Sequence, residues 1–160
     1  MTDPDPHVLA PGLAPTPFTA AEIRAGCPEG RVSVVRHPDG LTAIRFAEGD
    51  EEGAWIEDTP VDGEGRPAGG VERERSTWLE LQEHAAFPVE NTTIDRVELL
   101  GPLDQRRCLR YRVRRGNATL LFWFAVDLPG MPIRVDRCEG GVTLTTLEVV
   151  RVSGIPVPGR

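Results

Sequence analysis

The chain has 160 residues and a mass of 17.5 kDa, enough for one domain with a real core. Its net charge is −7, with 25 acids against 18 basic residues, and an acidic protein is repelled by a phosphate backbone, which disfavours general nucleic-acid binding. No apolar run approaches the roughly 18 residues that span a bilayer, so no membrane span is expected.

All the basic residues are Arg, the mark of a GC-rich bacterial genome. They are unevenly spread: the acids outnumber Arg in residues 1–80, and Arg slightly outnumbers the acids in residues 81–160. Met1 to Pro17 is rich in Pro and reads as a flexible arm. It lacks the basic and apolar regions of a signal peptide, so a cytoplasmic location is expected.

Phe18 to Gly26 carries complete helix signals. Thr19 and Glu22 have capping-box spacing, Phe18 and Ile23 are placed for a hydrophobic staple, and Gly26 is placed to end the helix in the left-handed region. Arg31 to Arg36 and Leu41 to Phe46 predict a hairpin around His37-Pro38-Asp39-Gly40, with a third short strand over Ala54 to Glu57. Asp58 to Gly70 reads as a loop, and Glu72 to Arg75 as its approach to a second helix, Trp78 to Phe87. Thr77 and Glu80 repeat the capping box, Pro88 stops the segment, and Trp78, Leu81 and Ala85 share a face that should lie on a sheet.

Thr92 to Leu100 is the next strand. Arg106 to Val152 then reads as a four-strand antiparallel meander. In its first strand Leu109, Tyr111 and Val113 alternate with Cys108, Arg110, Arg112 and Arg114. Ala118 to Ala125 is apolar on both faces, so both need cover. Leu128 to Met131 fits a type II turn, and Ile133 to Cys138 pairs with Val142 to Val152 around Gly140-Gly141. About eight strands and two short helices predict a mainly β, α+β domain over residues 18–153, followed by a tail over residues 154–160. The preferred form is a curved antiparallel sheet or half-barrel with the Trp78–Phe87 helix packed on it.

The run of a capped Trp helix, a strand, RCLRYRV, LLFWFAVDLPGMPIRV, a Gly hairpin and TLTTLEVV resembles bacterial half-barrel proteins of the lipoprotein-carrier (LolA- and LppX-like) group over residues 76–150. The resemblance implies a curved sheet whose apolar concave face receives a lipid or similar ligand. It brings no catalytic residue with it.

Trp78, Leu81, Phe87, Tyr111, Phe122, Trp123 and Phe124 are candidates to line a hydrophobic pocket, or else form the core. Arg110, Arg112 and Arg114 project from one face as a candidate anion site, or as a solvated face paired with acids. Cys27, Cys108 and Cys138 have no metal-ligand spacing and are expected to be reduced, with no metal and no cofactor. His84 with Glu80 or Glu83 has acid–base potential but reads first as a surface ion pair. GxSxG, phosphate-loop and HExxH motifs are absent. The leading expectation is therefore a non-catalytic binding domain for a hydrophobic small molecule. A module docking a protein partner is the alternative, and an enzyme using Asp127, Asp136 and Glu148 a third reading.

Overall fold

A computed structural model describes residues 3–154. The described residues form one open, fully antiparallel sheet of nine strands with two short helices. Helix α1 spans Ala20–Gly26, and strands β1 (Val32–His37), β2 (Gly40–Ala47), β3 (Gly53–Val61) and β4 (Glu72–Thr77) follow as a meander. Helix α2 (Trp78–Glu83) and a short 3₁₀ turn (Val89–Asn91) lead to a second meander. Its strands are β5 (Thr92–Gly101), β6 (Asp104–Arg115), β7 (Ala118–Ala125), β8 (Arg134–Glu139) and β9 (Val142–Ser153).

Across the sheet the order is β4-β3-β2-β1-β9-β8-β7-β6-β5, so the two meanders are joined where β1 pairs with β9. The chain reaches one edge at β4 and resumes at the opposite edge at β5. The connection must therefore cross a face of the sheet, and α2 lies in that connection. Pairing of β1 with β9 links residues more than 100 positions apart, which no local signal encodes.

Both capping boxes form as expected. Thr19 Oγ1 accepts from Glu22 N at 3.1 Å and Thr77 Oγ1 from Glu80 N at 3.0 Å, each reciprocated by the glutamate. Helix α2 stops at Glu83, short of the expected Phe87. Phe87 and Pro88 are instead engaged by the N-terminal segment, where Ala14 N donates to Phe87 O and Leu13 bridges Pro88. Gly26 does not turn left-handed; Cys27 caps α1 with φ −121°. What Gly26 supplies is room, because a Cβ there would sit 2.8 Å from the Pro129 ring.

The expected strand count was about eight; the additional strand is β4. Its sequence, ERERST, has no apolar period, and it forms as a charged edge strand on β3. Arg73 pairs with Glu57 at 3.2 Å and lies 4.4 Å over the Trp55 ring, and Arg75 pairs with Asp50 at 2.7 Å. Strand β3 also runs on to Val61, into the residues read as a loop.

Register settles the faces. Tyr111 stands opposite Phe122 and Leu109 opposite Phe124, all on the helix-covered face. There Phe18, Ile23, Trp78, Phe87, Tyr111, Val113 and Phe124 form the main core. Cys108 and Trp123 occupy the opposite face, where Val97, Leu99 and Leu103 join them in a second cluster that also takes in Leu128 and Ile133. Both faces of β7 are thus covered, as its sequence demands.

The arm expected to be flexible is tied down at Pro6, His7, Ala14, Pro15 and Thr16. Gln82, which is buried, donates to Pro6 O at 2.9 Å and Thr16 Oγ1 at 3.0 Å and accepts from Ala20 N at 2.9 Å. Tyr111 Oη donates to Pro15 O at 2.5 Å. The expected tail containing Pro156 and Pro158 lies outside the described residues.

Candidate functional site

On the helix-covered face, alternation directs Ile44 and Phe46 of β2, Ile56 of β3, Val135 of β8 and Leu147 of β9 toward the helices. They do not meet the helices everywhere. A chamber of about 420 Å³ remains between them. Phe122 and Phe124 extend its sheet wall, Ile23 and Cys27 of α1 with Leu81, Ala85 and Phe87 roof it, and the Gly130-Met131-Pro132 turn closes one side.

Four of the seven expected pocket residues border this chamber: Leu81, Phe87, Phe122 and Phe124. The other three do not. Trp123 sits opposite Arg110 and so points to the other face, where Arg134 lies 5.4 Å over its ring. Trp78 is spent on structure, stacking on Phe46 and donating its indole N–H to Asp50 O at 2.8 Å. Tyr111 is on the correct face but is covered by Phe87 and Phe124, at 6.0 and 5.3 Å between ring centroids.

Two charged residues of the wall were not anticipated. Arg31, immediately before β1, is 3% exposed. Its Nη1 donates to Gly26 O at 2.9 Å, to Cys27 Sγ at 3.0 Å and to Pro129 O, tying the end of α1 to the β7–β8 turn. Burial raises the Cys27 thiol pKa, opposed by the Arg31 charge, and the net direction is up. Asp58 of β3 borders both the chamber and a smaller notch shared with Glu72, Arg73, Glu74 and His84. One of its carboxylate oxygens is buried without a partner among the described residues. Burial raises its pKa, with further upward pushes from Glu72 and Glu74.

The signal for Arg31 was present but faint. Arg31, Ser33 and Val35 share the parity of a buried face, and two of those three are polar. A polar residue at a core position is where local patterning yields to something else.

The arginine strand lies on the face away from the chamber, with Arg112 and Arg114 exposed and Arg110 3.3 Å from Asp95. The three acids of the third reading do not come together: Asp136 and Glu148 share Arg134, at 3.0 and 4.0 Å, with Thr145 also donating to Asp136 and Arg36 lying 3.2 Å from Glu148, whereas Asp127 pairs with Arg106 at 2.7 Å. Glu80 is committed to its cap, which leaves His84 exposed at the chamber rim. All three cysteines are free thiols, and no group of three or more metal-ligating side chains occurs among the described residues. Nor is any helix among them long and apolar enough to cross a membrane.

No protein-family model matches the chain, and no curated protein matches it in sequence.

Proposed function

We propose that the protein is a non-catalytic binding domain that holds a lipid-like or other hydrophobic small molecule between its sheet and its helices. The chamber of about 420 Å³, with its mainly apolar lining, carries this reading. Ligand pockets start at about 300 Å³. The chamber wall is mostly aliphatic and aromatic, the composition that gains most from an apolar occupant. A half-barrel shape, with the helices as a roof and the sheet as a curved floor, fits the same role, as does the lipoprotein-carrier resemblance. Catalysis has no support from Asp127, Asp136 and Glu148, which are taken up in ion pairs with Arg106, Arg134 and Arg36.

The test uses a neutral solvatochromic dye, Nile red, whose emission rises and shifts blue in an apolar site. Saturable low-micromolar binding is expected. Ala85→Phe, which grows a side chain into the chamber, should abolish it, whereas Trp123→Phe on the other face should leave it unchanged. Absence of binding, or binding indifferent to Ala85→Phe in a folded variant, would overturn the reading in favour of a module that docks a protein partner.

A further inference from the structure

Arg31 does more than its local contacts require. Tying the end of α1 to the Pro129 carbonyl occupies Nη1 alone. Nε is fully buried and has no partner among the described residues. No carboxylate among them lies within 4.0 Å of the guanidinium. A buried guanidinium is costly unless an anion accompanies it, and removing that anion leaves the charge uncompensated. Asp58, the acid on the same wall, cannot fill the role: it stands across β2 on β3, with an unpartnered oxygen of its own.

We propose that Arg31 is the head-group subsite of the chamber and that its ligand is an amphipathic carboxylate, such as a single-chain fatty acid. The proposal rests on the hydrophobic-ligand reading above and adds the chemistry of the ligand's polar end. A guanidinium N–H donates a charge-assisted hydrogen bond to a carboxylate oxygen. Nη2 is the nitrogen open to it: the protein's hydrogen bonds to Arg31 all fall on Nη1, and Nη2 is not enclosed as Nε is. The apolar tail would lie along Phe46, Phe122, Phe124 and Leu147. Orientation follows from the other charges facing the space. Asp58 lines the β3 side of the chamber and repels an anion, His84 stands at the rim, and the Arg31 end carries the unpaired positive charge; Glu72, Arg73 and Glu74 border only the adjoining notch. The nearby Cys27 does not compete as an anion, because burial keeps its thiol protonated.

Calorimetric titration of the full chain with dodecanoate, dodecanol and dodecyl phosphate, all below their micellar concentrations, tests this. Dodecanoate should bind at least about tenfold tighter than dodecanol at neutral pH, the scale of one charge-assisted hydrogen bond. Arg31→Gln should erase that difference while still binding dodecanol. Because Arg31→Gln also removes contacts that hold α1, a pH series on the unaltered protein gives an independent arm. The preference for dodecanoate should fade as pH falls through the carboxyl pKa, about 4 to 5. Equal affinity for acid and alcohol would overturn the head-group subsite and leave the chamber reading intact. Binding of none of the three, together with no Nile red binding, would overturn both. Tighter binding of dodecyl phosphate would overturn the carboxylate assignment.

Discussion

Replacing Gln82 by alanine should detach the N-terminal arm and α1 from α2 in one step. The Gln82 amide is 2% exposed and makes three hydrogen bonds of 2.9 to 3.0 Å, to Pro6 O, Thr16 Oγ1 and Ala20 N. Each such bond contributes about 1 kcal/mol net, and a buried partner left unsatisfied adds to the loss. Ala20 N–H lies in the first turn of α1, where no intrahelical acceptor exists. The expected cost is therefore about 2–4 kcal/mol, or a fall in Tm of about 4–16 °C for a domain of this size. Urea unfolding followed by tryptophan fluorescence measures it, and the midpoint should fall without a change in slope. A double-mutant cycle with Thr16→Val should show coupling of about 0.5 kcal/mol or more, since the two side chains share a bond. The helices that Gln82 joins also roof the chamber, so the variant should bind Nile red more weakly. A cost below about 1 kcal/mol with additive effects would show that water replaces Gln82 and that the arm is not held by it.

Two further outcomes follow from the charges and thiols. Asp58 has a raised pKa because burial and the Glu72 and Glu74 charges disfavour its ionised form. An acid raised in the folded state favours folding below its unfolded pKa, and that contribution is lost as pH rises through the folded value. Asp58→Asn should accordingly raise Tm at pH 7, with the gain vanishing below about pH 4, near the ordinary Asp pKa; an equal gain at both pH values would refute the assignment. Among the thiols, Cys138 is partly exposed, whereas Cys27 and Cys108 are buried, and burial with the Asp127 charge pushes Cys108 up to about 11. A thiol reagent at pH 8 should modify Cys138 first, with the other two following only on unfolding, as tryptic mass mapping would reveal.

The local elements were written in short-range chemistry, which explains why they could be read from the chain. Thr19 with Glu22 and Thr77 with Glu80 announced both helix starts, alternation around Tyr111 gave β6 its faces, and Gly140-Gly141, both at positive φ, closed the β8–β9 hairpin. Strand β4 escaped because an edge strand held by Arg–Glu pairs and one Trp face needs no apolar period. Four of the pocket candidates border the chamber, Phe122 and Phe124 from the helix-covered face of β7 and Leu81 and Phe87 from the roof. Trp123 does not, because parity sends it to the other side of the sheet from Phe122 and Phe124. Tertiary structure alone decided the junction of β1 with β9, the docking of the arm through Gln82 and the burial of Arg31 against Pro129, 98 residues away. Each depends on which distant surfaces meet, and a chain's periodicity specifies which way a side chain points but not what it finds there.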